Sequence, residues 1–336
     1  MKKILFTVSL LVLVAVFALV SCQNGETTTT PTTTDGAPVT AEEVRILALK
    51  GPTGMGLANV INDAKLSDNS RYQCTVMNGP EFVKTEVLLG NYDIAALPTN
   101  VAAALYNAKK ADFQIAAVNT LGVLYIVENG ETVTDVASLK GKTINATGQG
   151  STPEYILRYI LEENGIDPDK DVTLDFSYTD HAELATHVAA GTVSIACLPE
   201  PQVTAALSGE SNARVALNLT EEWGKISDSD VMQGCIIVRR EFAEKYPEQL
   251  QEFLDEYRAS VEFVNTNVDA AAEIIANLGI IPKAALAKAA IPRCNIVFVD
   301  GEEMKNSLTG FFTVLYNADP SAIGGKVPDE GLYYQK

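Results

Sequence analysis

The chain has 336 residues, 47% of them hydrophobic, which is enough apolar material for a packed core and long enough for two lobes. Its formal net charge of −18 favours a soluble surface and weighs against binding nucleic acid through its phosphates. The sequence has no GxSxG, HExxH or CxxC pattern, so no catalytic residue, metal ligand or cofactor is expected.

The N-terminus reads as a targeting segment. Lys2 and Lys3 precede an almost wholly apolar run from Ile4 to Val20, which ends in Leu19-Val20-Ser21-Cys22. That ending resembles the bacterial lipobox. The resemblance implies cleavage before Cys22 and a diacylglycerol on its thiol, making residues 1–21 a lipoprotein signal peptide. An uncleaved membrane helix is the alternative, because the run approaches the length that spans a bilayer. Residues 22–42 form the expected tether. Thr27–Thr34 is threonine with one proline, a composition that cannot bury a core. The expected location is extracytoplasmic, anchored to the cell membrane by lipid. Cys74, Cys197, Cys235 and Cys294 are widely spaced, and the first three sit in apolar strand-like runs, so buried free thiols are expected. An oxidising compartment would permit a disulfide, but spacing does not choose a pairing.

From Val44 the pattern alternates strand and helix. Strands are expected at 44–49, 72–77 and 93–97, with helices at 54–64, 81–89 and 100–109 between and after them. Pro80 and Gly90 bracket the middle helix as start and stop. An extended stretch, 114–127, contains Gly122. The alternation then restarts with strands at 142–146, 172–176, 194–198 and 214–217. The helices here end at Asn164, close at Gly191 and begin at Pro201. Asp180 and Glu183 have the spacing of a capping box. After a second extended stretch, 234–239, helices are expected at 247–264, 269–278, 282–290 and 301–316.

The pattern Gly-x-x-x-Ile-Ala-x-Leu-Pro occurs twice, as Gly90–Pro98 and Gly191–Pro199. One α/β unit used twice predicts two similar lobes facing one another, each a doubly wound, mostly parallel sheet with helices on both faces. The extended stretches around Gly122–Val127 and Gly234–Arg239 are the expected crossings, which together would make a hinge. Lobe one is then residues 43–124 with 239–336, and lobe two 125–238. Two sequential, unrelated domains are the rival division, against which the repeat counts.

Residues 44–336 resemble an extracytoplasmic solute-binding protein of an ABC importer, closest to the nitrate/sulfonate/taurine and thiamine-precursor binding group. The resemblance rests on Gly90–Pro98, Ser138-Leu-Lys-Gly-Lys142, Gly150-Ser-Thr-Pro-Glu154, Leu198-Pro-Glu-Pro201 and the stretch Val238–Pro247. It implies a type II periplasmic-binding-protein fold and a small organic solute: a sulfonate, a pyrimidine or another heteroaromatic. It also implies ABC permease and ATPase partners, and a monomer.

Ligands of open α/β sheets gather at the carboxyl ends of strands, which puts the candidate site in the loops there. In Lys50-Gly-Pro-Thr-Gly-Met-Gly56, Thr53 and Gly54 offer backbone amides and Lys50 a charge for an acidic ligand, against the plainer reading of a tight turn with a solvated lysine. Thr99 and Asn100 are first of all helix caps. Asn119–Thr120, inside the extended stretch, is offered by lobe one as another strand-end loop. Gln149, Ser151 and Thr152 lie at a helix start where Glu154 would complete a capping box with Ser151. Glu200 either accepts hydrogen bonds from a ligand or stabilises its helix end. Trp223, the only tryptophan, is a stacking wall or, more commonly, a packing residue. Tyr125 and Gln233 face either cleft or core. His181 and His187 are six apart, do not share a helix face, and read as surface or capping residues. An enzyme of pyrimidine or menaquinone synthesis on the same fold and a sensory binding protein remain the rival functions; the lipobox disfavours the former.

Overall fold

The computed structural model describes residues 43–208 and 212–335. Cys22, the expected signal peptide 1–21 and the expected tether 22–42 lie outside those residues. In chain order the elements are β1 (Val44–Leu49), α1 (Pro52–Met55), α2 (Ala58–Leu66), β2 (Tyr72–Met77), α3 (Pro80–Leu89), β3 (Ile94–Pro98), α4 (Thr99–Asn107), β4 (Phe113–Thr120) and β5 (Leu124–Asn129). Then come β6 (Thr143–Asn145), α5 (Thr152–Glu163), β7 (Thr173–Asp175), α6 (His181–Ala189), β8 (Ile195–Pro199), α7 (Gln202–Ala206), β9 (Ala213–Asn218) and α8 (Leu219–Gly224). The rest is β10 (Gly234–Arg239), α9 (Arg240–Lys245), α10 (Pro247–Thr266), α11 (Val268–Asn277), α12 (Ala284–Ala290), β11 (Ile296–Val299) and α13 (Gly301–Ala318).

The strands make two sheets, ordered β11-β4-β10-β3-β1-β2 and β7-β6-β8-β5-β9. In the first, β1 pairs in parallel with β2 and β3, and β10 runs antiparallel between β3 and β4. In the second, β6 pairs in parallel with β7 and β8, and β5 runs antiparallel between β8 and β9. With the edge strand β11 set aside, both sheets have one order, with a single reversed strand in the same place. This is the two-lobed α/β architecture expected, and the two copies of the repeat end in β3 and β8 at equivalent positions. Gly90 and Gly191 follow α3 and α6 with φ of 73° and 71°, a left-handed conformation that costs a side chain energy and glycine none.

Strand alternation distributes the apolar side chains. Leu47 and Leu49 of β1 join one buried cluster, while Val44, Ile46 and Ala48 join another on the opposite face. The first cluster continues into the second sheet through Leu124, Ile126, Ile144 and Cys197. A third, with Tyr125, Val127, Ala196 and Leu198, covers that sheet's other face. Cys197, Cys235 and Cys294 are buried free thiols and Cys74, on the edge strand β2, is a half-buried one. Burial pushes the Cys197 thiol up to about 12. Among the described residues no helix is long and apolar enough to cross a membrane.

Three expectations change. The helix expected over 54–64 is two helices, α1 and α2, parted at Gly56–Leu57, where Gly56 packs so closely on Tyr257 that a Cβ would stand 2.8 Å from its hydroxyl; within α1, Gly54 packs on the end of β1, where a Cβ would stand 1.8 Å from the Leu49 carbonyl oxygen. The stretches 122–127 and 234–239 are not themselves the crossings: their residues from Leu124 and from Gly234 are hydrogen-bonded inside the sheets as the reversed strands. The crossings precede them, at 121–123 and 225–233. Because β10 pairs with β3 and β4, Gly234–Val238 lies in the first sheet and not in the lobe-two span 125–238.

Candidate functional site

The two repeated prolines end at the crossings. Pro98 pairs with Gly234, the first residue of β10, and Pro199 with Leu124, the first of β5. The next residue in each copy makes the same backbone bond: Thr99 donates its N–H to the Gln233 carbonyl at 3.1 Å, and Glu200 donates to the Val123 carbonyl at 2.9 Å. Gln233 ties the crossings together. Its Oε1 accepts from the Val123 amide at 3.2 Å, and its own N–H donates to the Thr120 carbonyl at 3.0 Å. The carboxyl edges of both sheets therefore meet beside this knot.

On the first edge, the Asn119 Nδ2 donates to the Thr53 carbonyl at 3.0 Å, and the buried Thr120 hydroxyl donates to Asn119 Oδ1 at 3.0 Å. Thr53 is half-buried, Gly54 buried for the packing reason above, and Lys50 exposed at the rim. Thr99 and Asn100 are not caps. Pro98 occupies the cap position of α4 without a side-chain bond, and the Thr99 hydroxyl is spent on the Met232 carbonyl. Asn100 is half-buried in the first turn.

On the second edge, Gln149 is exposed and Ser151 caps α5 by position only, its hydroxyl turned to the Gly148 carbonyl. Glu154 closes the turn differently from the expected box, accepting from the Gly150 amide at 2.7 Å while it pairs with Arg158 at 2.6 Å. Thr152 is 8% exposed and its hydroxyl has no partner. An orphaned hydroxyl at a helix start is costly and invites an acceptor. His181, at the first turn of α6, bonds to the Thr147 hydroxyl, and burial lowers its pKa, so it is neutral near pH 7. Asp180 caps that helix by accepting from the Glu183 amide, which is half of the expected box.

Glu200 is only 2% exposed, and its carboxylate is already engaged. It accepts from the Thr204 amide at 3.1 Å and hydroxyl at 3.0 Å, and from Nε of Arg293. Arg293 comes from a 3-10 turn, Ile291–Arg293, after α12 on the first-sheet side. The Tyr125 hydroxyl donates to the Arg293 carbonyl at 2.8 Å. Trp223 is not on the cleft: it is 1% exposed, packed against Tyr159 of α5 and Phe311 of α13 at ring-centroid distances of 4.6 and 5.8 Å, with Nε1 donating to the Ser229 carbonyl.

The structure thus gathers Thr53, Thr99, Thr120 and Gln233 on one edge and Gln149, Ser151, Thr152 and Glu200 on the other, leaves Lys50 and Asn100 at the margin, and removes Trp223. Arg293 and Thr204 were missed. Arg293 stands alone in Ile-Pro-Arg-Cys-Asn, and nothing local marks it as a partner for a glutamate 93 positions away. Among the described residues no group of three histidines, cysteines or acids could hold a metal ion.

The family model of the NMT1-like family matches residues 77–279. Among solved structures, an ABC transporter protein from Parabacteroides distasonis is 26% identical, with a TM-score of 0.75 over 88% of this chain and 100% of that one. The periplasmic aliphatic sulphonate-binding protein SsuA of Escherichia coli is 19% identical, with a TM-score of 0.68 over 88% and 93%. The alkanesulfonate-binding protein SsuA of Xanthomonas axonopodis pv. citri, bound to MOPS, is 16% identical, with a TM-score of 0.60 over 88% and 97%. No curated protein matches the chain.

Proposed function

The chain belongs to the NMT1-like family, and on that premise we propose that it is the solute-binding component of an ABC importer. It binds a small organic solute between its lobes and passes it to a membrane permease driven by an ATPase. The observation that carries this reading is the meeting of two carboxyl edges at a knot of crossings, with an unpartnered, buried Thr152 hydroxyl at the start of α5. The N-terminus of that helix has spare amides and a positive dipole end, which suit a carboxylate, sulfonate or polar ring edge. Lys50 at the opposite rim supplies a charge of the right sign. The similarity to sulphonate-binding proteins supports a sulfonate as the first class to try. The candidate contacts are Lys50, Thr53, Gly54, Asn100, Gln149, Ser151 and Thr152, with Thr99, Thr120, Gln233 and Glu200 shaping the floor. Binding is the whole task, without turnover of the solute. The location that goes with it is extracytoplasmic, through a lipid on Cys22.

The test is native mass spectrometry of the purified protein, followed by a thermal-shift screen of sulfonates, pyrimidines and small heteroaromatics. A specific solute at one hundred times its Kd stabilises the protein by about 2.7 kcal/mol. Thr152→Val supplies the site control. Removing an orphaned hydroxyl leaves the free protein as stable or more so, by up to about 1 kcal/mol, while calorimetry should show weaker binding. A screen in which no compound moves the melting temperature sinks the solute-binding reading. Unchanged affinity in Thr152→Val removes α5 from the site.

A further inference from the structure

The Arg293–Glu200 contact joins the two lobes at a place where its geometry depends on how they are turned. The backbone beside Arg293 is fastened at Leu121 and Gly122: the Asn295 carbonyl accepts from the Leu121 amide at 3.0 Å, and Asn295 Nδ2 donates to the Gly122 carbonyl at 2.6 Å. The backbone of Glu200 is fastened after Gly122, by its amide on the Val123 carbonyl. Acid and base are therefore anchored to different sheets, Glu200 after β8 and Arg293 before β11, so a change in the angle between the lobes bears on this contact and on the neighbouring Tyr125–Arg293 bond. In the observed arrangement the Glu200 side chain is fully excluded from water, and Arg293 is 30% exposed. The guanidinium spans two acceptors, Glu200 through Nε and the Thr204 hydroxyl through a terminal nitrogen. A buried carboxylate that loses such a partner must either recover water or bear a large desolvation penalty.

We propose that Arg293 is a closure clasp, pairing with Glu200 only when the lobes are shut and so setting solute affinity without touching the solute. It is a positioning residue for binding. Part of the free energy that favours the closed form then comes from the protein itself, and a solute has less of the closing equilibrium left to shift. The clasp also accounts for Glu200 in the second copy of the repeat. Its carboxylate is already used in closing the molecule, where a direct solute contact had been expected. The purpose of the clasp rests on the solute-binding reading; its existence does not.

The test therefore uses no solute. Nitroxides are attached through p-acetylphenylalanine replacing Thr85 on α3 and Thr186 on α6, both exposed. Electron double resonance on the full chain in detergent micelles then reads the distribution of interlobe distances. Arg293→Met should lower the ratio of short to long distances about tenfold or more, because closing strands the Glu200 carboxylate. Adding Glu200→Gln to Arg293→Met should restore most of the short population, since an amide still bonds to Thr204 and strands no charge. Should Arg293→Met fail to fold, Glu200→Gln alone tests the same pair and is expected to open the molecule by a smaller factor. An Arg293→Met distribution that matches the wild type overturns the proposal. So does a double variant as open as the single one, because the effect would then not run through the carboxylate. A working clasp in a protein that binds no compound would leave the clasp standing and remove the solute-binding reading alone.

Discussion

Gly122→Ala is the sharpest test of how tightly the two crossings are packed. A Cβ built at Gly122 lies 2.2 Å from the Thr220 hydroxyl oxygen, and 3.2 and 3.3 Å from Val231 Cβ and Thr220 Cβ. Carbon and oxygen do not approach to 2.2 Å, so the first crossing and α8, which carries Thr220, must give way to each other. Overpacking of this kind costs about 1–3 kcal/mol. Thr220 is half-buried and its hydroxyl is buried without a partner, so Thr220→Ala alone should be neutral or slightly stabilising. Combined with Gly122→Ala it removes the 2.2 Å contact and leaves contacts that small shifts accommodate. The double variant should recover at least half of the loss. Urea unfolding of the four proteins gives the cycle directly, and a coupling of about 1 kcal/mol or more between the two sites is expected. The reasoning is refuted if Gly122→Ala unfolds within about 0.5 kcal/mol of the wild type, or if Thr220→Ala brings nothing back.

Two further substitutions probe the scaffold. Asp93 is 4% exposed; burial raises its pKa, but hydrogen bonds from Arg45 and Arg239 outweigh that and hold it below the ordinary carboxylate value. A depressed native pKa means that its stabilisation is complete above about pH 4, the unfolded value, and is lost as pH falls through the native one. Asp93→Asn should cost about 1–3 kcal/mol at pH 7, discounted for the part-exposed arginines. The gap to wild type should narrow below about pH 4 in acid unfolding curves; a gap independent of pH would remove the ion pairs from the account. Trp223→Ala, which empties the space between Tyr159 and Phe311, should cost about 3–5 kcal/mol by urea titration and leave affinity for any identified solute within a few fold. A lost affinity with unchanged stability would return Trp223 to the cleft.

What could be read from the sequence, and what could not, divides by range. β2 and β10 have the expected bounds because alternation and burial within six residues decide them. The C-cap glycine Gly90 and the prolines that end β3 and β8 act on their own neighbours, and they too were legible. The direction of β5 and β10 was not, since nothing in Leu124–Asn129 or Gly234–Arg239 says which neighbour the strand will meet. Gly54 has a local composition that suits ligand approach, yet its reason is the Leu49 carbonyl, five positions back but across a chain reversal. Glu200 had two plausible local roles, and the partner that takes its carboxylate arrives from Arg293. Trp223 likewise owes its place to Phe311. Propensity and spacing set the elements; partners far along the chain decide what a polar or aromatic side chain on them does.

The repeat makes that division of labour concrete. Thr99 and Glu200 hold the same backbone position after the same proline and give the same N–H to the residue just before the reversed strand. Because the main chain alone makes that bond, the side chain at the position is released from any duty to the scaffold. In one lobe it is a threonine whose hydroxyl stays on the return crossing at Met232. In the other it is a glutamate that reaches over the first crossing to Arg293. A duplicated unit would by itself give two equivalent edges and an interface with no preferred closed form. The glutamate breaks that equivalence beside the pivot, where one buried charge pair can bias the angle between lobes without occupying the space a solute needs. Replacing Thr99, its counterpart, by serine should leave the distance distribution between positions 85 and 186 unchanged, because serine keeps the Met232 bond and carries no charge. A shift of the kind expected for Arg293→Met would place the control of closure in the shared backbone and not in the acid.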